Sequence, residues 1–401
     1  MFCVGKKKNK KLNMTNTMSD QEEKRHLSSS DSDRSFSSVS ESSVDEENQD
    51  SYGPGGYCPI QVEQSIGAYQ VQKKLGYGQF ATVWQTSCEK AIKICRADEQ
   101  YANMVQKEVN ILKEIQKSPT CVQLLDDFVH ESDNGKHKVL VMELYGMDMY
   151  RLTQLHRHAE VHIPLEVSKS IIRQVLEALQ FLESKNILHT DIKPENILVK
   201  QHIKEPLTLN DRQITIALGD FGTAIKTDEK AHVYGTTFEY RSPEQVFEMT
   251  RLTHDTDVWS AACVIYELFA LEVLFEPKRL CLEFNEERWA SDASSMDSED
   301  SRELNTYETD LNQLYLFIEM FGDFPRHVAK KRRRWFTARG KLRGLQESID
   351  TLTLEDRLED DVLERWGLPV QDIADFLRPM FRFNPNRRDS ARKMLAHSFL
   401  G

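Results

Sequence analysis

The sequence predicts a two-lobed α+β fold, with a small antiparallel β-rich lobe carrying one key helix and a larger, mainly helical lobe after it. Three observations predict it. From Tyr69 apolar residues recur at strand spacing, at Tyr69, Val71, Leu75, Phe80 and Val83 and again in Ala91-Ile92-Lys93-Ile94. Residues 99–117 switch to helical spacing through Met104, Val105, Val109, Ile111, Leu112 and Ile115. From about residue 165 onward the periodic stretches are mostly helical.

Residues 1–56 precede these elements and read as an unstructured tail. Lys6, Lys7, Lys8, Lys10 and Lys11 form a basic run. From Ser28 to Asp50 serines and acids follow, with almost nothing apolar to offset the entropy of ordering. The basic run reads either as a nuclear address or as a solvated tail. Gly53-Pro54-Gly55-Gly56 punctuates the end of the tail. The sheet and its helix then fill about 67–144, closing with a strand over 137–144. The helical lobe fills about 145–400, with helices expected over 167–183, 257–270, 310–321, 370–381 and 390–396.

Composition narrows the function. A formal net charge of -12 argues against the whole chain clinging to nucleic acid and suits a basic partner. Cys3, Cys58, Cys88, Cys95, Cys121, Cys263 and Cys281 are scattered with no C-x-x-C pair, the pattern of reduced thiols inside a cell. The N-terminus lacks a signal-peptide core and a myristoylation glycine. The most apolar stretch, 258–271, is broken by Glu267 and is too short to span a bilayer. The expectation is a soluble protein of cytoplasm and nucleus, monomeric by default.

Three motifs carry chemistry. In Leu75-Gly76-Tyr77-Gly78-Gln79-Phe80-Ala81-Thr82-Val83 two glycines let a strand-turn-strand backbone approach phosphate oxygens, although such pairs also make ordinary hairpins. Ala91-Ile92-Lys93 follows, with Glu108 on the predicted helix. A buried lysine can hold phosphates only if a carboxylate positions it. The decisive motif is His189-Thr190-Asp191-Ile192-Lys193-Pro194-Glu195-Asn196, followed after a strand-like segment by Asp220-Phe221-Gly222. Phosphoryl transfer needs positioning and charge neutralisation more than covalent help. Asp191 would orient or accept the proton of a substrate hydroxyl, and Lys193 would neutralise the moving phosphoryl group. Asn196 and Asp220 would hold Mg²⁺ through hard oxygen ligands. His189 reads as a packing residue.

Together these residues resemble the eukaryotic protein kinase superfamily. Ser242-Pro243-Glu244 resembles the end of that family's activation segment, with Thr237, Tyr240 and Arg241 before it, and Asp257-Val258-Trp259-Ser260 resembles the start of its central buried helix. Arg388 falls where the family pairs a cation with that glutamate. The resemblance implies ATP and Mg²⁺ as cofactors, with ATP between the lobes. Val83 and Ala91 would lie above the adenine and Leu198 below, Met142 would gate the back pocket, and Glu143 to Tyr145 would form the hinge.

Within the superfamily the chain is most similar to the SR-protein kinases, which phosphorylate serines in Arg-Ser-rich splicing factors. Gly55-Gly56-Tyr57-Cys58-Pro59-Ile60, Leu75 to Trp84, Thr190, Tyr240-Arg241-Ser242, Leu274-Phe275-Glu276-Pro277 and Phe336-Thr337 with Gly340 carry that resemblance. Charge points the same way. From Glu283 to Asp310 ten acidic residues face two basic ones, a stretch that reads as a solvated insert or as a lure for an arginine-rich protein substrate. The resemblance puts Glu272, Asp310 and Glu319 near an acidic docking groove. Thr190 replaces the arginine that in many kinases needs a phosphorylated activation loop, so constitutive activity is expected.

Three features depart from the SR-protein pattern. The spacer over Val199 to Thr215 is short, Asp220-Phe221-Gly222 replaces Asp-Leu-Gly, and Phe238 replaces an arginine. The basic run Lys330 to Arg334 reads as a solvated turn or an anion contact. Two rival readings stand: a Cdc2-like dual-specificity kinase, and a catalytically silent scaffold for basic partners.

Overall fold

The structure, a computed structural model, describes residues 47–231, 236–279, 298–343, 349, 351–358 and 365–401, with backbone alone for 298–305. The expectations for residues 1–46 and for the acidic stretch up to residue 297 lie outside the described residues, whereas residues 47–56, expected as the end of an unstructured tail, are ordered: Gln49–Tyr52 form a 3₁₀ turn and the buried Glu47 pairs with Lys74.

Strands β1 (Ser65–Ile66), β2 (Tyr69–Gly78), β3 (Ala81–Thr86), β4 (Lys90–Cys95), β5 (Leu124–Ser132) and β6 (Gly135–Glu143) form one antiparallel sheet in the order β1-β2-β3-β4-β6-β5. Alternation along each strand gives this sheet two different faces. Val71, Trp84, Ile92, Ile94, Val139 and Val141 make one apolar cluster with Cys58 and Ile66. Residues of the opposite parity, Cys95 and Leu140, join the main core with Val105, Val109 and Leu112 of helix α1 (Ala102–Glu114). Glu108 lies within the same buried stripe of α1. A carboxylate there must find a partner, and Lys93 shares the parity of Cys95.

The second lobe begins with β7 (Met147–Asp148), α2 (Met149–His158) and α3 (Leu165–Ser184). Strands β8 (Ile187–Leu188), β9 (Ile197–Val199), β10 (Ile216–Leu218) and β11 (Ile225–Lys226) form two small antiparallel sheets, β10-β9-β7 and β11-β8. Next come α4 (Pro243–Val246), α5 (Asp255–Ala270) and α6 (Ser298–Phe321). Helix α5 is buried from Thr256 to Phe269, and a helix enclosed on every side is a core element. Its Trp259 ring packs edge-on to Phe317 and Phe381, at centroid distances of 4.8 and 5.0 Å.

Several elements differ from the sequence reading, each for a local reason. Strand β5 alternates weakly because it is a sheet edge with two adjacent exposed or half-exposed acids, Asp126 and Asp127. Helix α2 buries one stripe, Met149, Leu152, Thr153 and His156, only half of it apolar, and carries a cap in which the Arg151 backbone N–H donates to the Asp148 carboxylate at 2.7 Å. The helix expected over 370–381 ends at Leu377 and tightens into a 3₁₀ turn over Arg378–Phe381, where Pro379 cannot continue an α-helix. Among the described residues no helix is long and apolar enough to cross a membrane.

Candidate active site

The glycine hairpin is formed by β2 and β3, with Gly78 paired to Ala81 across the Gln79-Phe80 tip. Leu75, Gly76 and Tyr77 lie on its first strand and Val83 on its second. Ala91 and Lys93 lie on β4, where Val83 pairs with Lys93 and Ala91 with Met142. Glu143 ends β6, Tyr145 follows it, and Leu198 lies on β9 of the other lobe. The residues expected above and below the adenine therefore stand on facing lobes.

Lys93 joins the lobes. Its Nζ lies 2.7 Å from Glu108 and 2.9 Å from Asp220. Burial alone would pull the lysine pKa down, but Asp220 and Glu108 overcome this and hold it charged. The Glu108 carboxyl is pushed up by burial, against the pull of Lys93. The nearby Lys93 charge holds Asp220 down to about 2, so it stays ionised across the physiological range. A Cβ added at Gly222 would sit 3.3 Å from the Asp220 carboxylate and 3.8 Å from Lys93 Nζ, so glycine suits this crowded spot.

The catalytic loop is fixed from beneath by α5. The Asp257 carboxylate accepts from the backbone N–H of His189 at 2.7 Å and of Thr190 at 2.8 Å. His189 is fully buried, its Nε2 lies 2.9 Å from the Gly219 carbonyl oxygen, and its ring packs on Phe221. Asp191 accepts from the Thr237 N–H at 2.9 Å through Oδ1, while Oδ2 lies 3.0 Å from Lys193 Nζ. Lys193 also donates to the Thr237 hydroxyl at 2.8 Å. Burial disfavours the Lys193 charge, and the adjacent Asp191 more than restores it. Asn196 donates to the Asp191 carbonyl at 2.8 Å, which leaves its own amide oxygen as the atom available to a cation.

The residues fit a metal carried in by phosphate. Asp220 is 56% exposed at its side chain and ionised, and with Asn196 it offers hard oxygens. Among the described residues no cluster of three His, Cys, Asp or Glu side chains could hold a metal unaided. Mg²⁺ commonly takes one or two protein ligands and completes its shell with phosphate and water.

The activation segment is locked at several points. Tyr240 donates to Glu267 at 2.7 Å. Arg241 donates to the Thr236 carbonyl at 2.8 Å, and the ring of Phe238 lies 3.9 Å below its guanidinium. Glu244 and Arg388 form a buried bidentate pair at 2.8 and 3.1 Å. Gln245, three residues after its capping partner Ser242, donates to the Thr190 carbonyl at 2.8 Å. Asp257 and Gln245 were not singled out as site residues. An Asp opening an apolar helix and the Ser-x-x-Gln spacing were the available signals.

The three expected docking acids part company. Asp310 is 2% exposed, pushed up to about 7 by burial against the pull of Arg241, and lies 3.3 Å from that guanidinium. Helix α6 turns Asp310 under the activation segment, so its carboxylate faces Arg241 rather than solvent. Glu319 is tied to Arg357 at 3.1 Å. Glu272 is exposed, 3.5 Å from Arg157. In the basic run, Arg334 pairs with Glu248 at 3.0 Å, while Lys330, Lys331 and Arg333 are exposed.

Comparison with known proteins agrees with this geometry. The family described as "Protein kinase domain" matches residues 69–400. The chain is similar to "Serine/threonine-protein kinase SRPK" of Physarum polycephalum, 28% identical, over 89% of this chain and 91% of that protein. It is also similar to "Protein kinase dsk1" of Schizosaccharomyces pombe, 25% identical, over 87% of this chain and 84% of the relative. "Dual specificity protein kinase lkh1" of the same yeast is 27% identical over 86% of this chain and 48% of its own length. With a lysine–carboxylate bridge between its lobes and this match over most of its length, the chain belongs to the protein kinase family and is a serine/threonine protein kinase.

Proposed function

We propose that this kinase phosphorylates serines in arginine/serine-rich proteins and is active without phosphorylation of its own activation segment. ATP is the phosphoryl donor. The glycine hairpin covers its phosphates, and Lys93, oriented by Glu108, holds the non-transferred ones. Asn196 and Asp220 would hold Mg²⁺, which would supply neutralisation of phosphate charge. A bond forms between the serine Oγ and the γ-phosphorus as the bond to the ADP oxygen breaks. Asp191 takes the hydroxyl proton, and Lys193 faces the charge that develops on the phosphoryl oxygens.

The observation that carries the substrate class is an acidic cluster beside the catalytic loop. Glu195 is exposed in that loop, and its carboxyl is pushed up by desolvation first, with the nearby Asp148 and Asp191 charges adding to it against the pull of Lys193. Carboxylates that raise one another's pKa at the surface are relieved by an incoming cation, so an arginine-bearing chain is favoured. The similarity to the Physarum SRPK protein supports the same class.

Arg-Ser and Ser-Pro peptides assayed with labelled ATP at two ionic strengths test this. The Arg-Ser peptide should be preferred, its kcat/KM should fall as salt screens the acids, and Asp191→Ala should transfer nothing. Equal turnover of both peptides, insensitive to salt, would sink the substrate class. The similarity to the dual-specificity kinase keeps a second reading, in which tyrosine autophosphorylation accompanies Ser-Pro preference.

A further inference from the structure

We propose that Tyr57 is a positioning residue for the glycine hairpin, tethering the Gly78 carbonyl so that the segment ahead of the sheet sets how the hairpin closes over phosphates. Tyr57 precedes the first strand and the family match, which begins at residue 69. It is nevertheless 5% exposed, and its hydroxyl donates to the Gly78 carbonyl at 2.7 Å.

The hairpin needs such a tether. A Cβ built at Gly76 or Gly78 would meet nothing within 4 Å, so beyond the pairing with β3 no side-chain packing restrains the chain at these glycines. A hydrogen bond from a side chain that is itself immobile fixes what packing leaves loose.

Tyr57 is immobile for three reasons. Its carbonyl accepts from Asn134 Nδ2 at 2.8 Å, in the turn between β5 and β6. The preceding Gly56 carbonyl accepts from the Ala97 N–H at 3.0 Å. The Arg96 guanidinium lies 5.0 Å over its ring. Arg96 also donates its backbone N–H to the Phe80 carbonyl at 2.9 Å, so the hairpin tip and its tether share one neighbour. A second tie holds β2 further back, where Lys74 pairs with the buried Glu47.

The inference rests on reading the hairpin as the phosphate cover, and the test keeps the two apart. Tyr57→Phe in the full chain removes the donor and keeps the ring over which Arg96 lies. Gly78 is exposed, so water can replace the lost bond and the melting temperature should stay within about 1 °C of wild type. Amide exchange over Gly76 to Ala81, measured without nucleotide, should quicken about five-fold, the factor one ordinary hydrogen bond is worth. KM for ATP should rise by about the same factor while KM for the peptide stays put. Unchanged exchange would remove the tether. Faster exchange with an unchanged KM for ATP would remove its role in catalysis. A wild-type protein with no affinity for ATP would instead sink the reading of the hairpin itself.

Discussion

Thr190 and Asp220 flank the chemistry with positive φ angles of 71° and 54°. A β-branched residue in the left-handed region is strained, and such strain persists only where neighbours over-determine it. Thr190 is held by Asp257 at its N–H, by Gln245 at its carbonyl and, through its own hydroxyl, on the Thr223 carbonyl at 3.0 Å. The motif residues were legible because function fixes their types, but this bracing came from residues remote in sequence. Glu267 shows the same limit, since nothing local marks it as buried under Tyr240. Its folded pKa, raised to about 7, lies above the ordinary glutamate value. Between those values the folded state binds more protons than the unfolded one, so its contribution is complete below the unfolded pKa and is lost as pH rises through 7. Glu267→Gln should therefore melt higher than wild type at pH 8 and gain nothing at pH 5. A thermal series with equal differences at both values would refute the assignment.

At the scale of elements, α5 is the platform on which the catalytic loop, the activation segment and the end of the chain meet. Periodicity predicted this helix within two residues at its start, because a long apolar run of helical length has few alternatives. Periodicity could not say which elements would surround it. Arg388 reaches Glu244 and also donates to the Arg382 carbonyl at 3.0 Å, binding the activation segment to the C-terminal turns. Arg388→Ala leaves a carboxylate buried without its cation and should cost roughly 3–5 kcal/mol in denaturant unfolding. A loss under about 1 kcal/mol would show the pair to be dispensable. Helix α6 marks the limit of element-level reading. Its apolar spacing was visible from residue 310, but which side Asp310 would take depended on the activation segment packed against it.

At the scale of the whole molecule, the site draws its residues from both lobes. Lys93 already meets Glu108 and Asp220, and Asp191 already holds Thr237. Thr190 needs no counter-charge, where an arginine would. Phosphatase treatment of the purified kinase should therefore leave its kcat/KM unchanged within about two-fold, a ratio below the smallest switch worth the name. Loss of activity on dephosphorylation, restored by rephosphorylation, would overturn constitutive activity.

The amino-acid sequence by itself determined the lobe order, the glycine hairpin and the charged residues of the cleft, because backbone periodicity and phosphoryl chemistry constrain residue types locally. Tertiary structure alone decided which charges are spent on one another. Lys93 and Asp220 are 127 positions apart and Glu244 and Arg388 are 144 apart, and burial and pairing at that range follow from packing that no local pattern records.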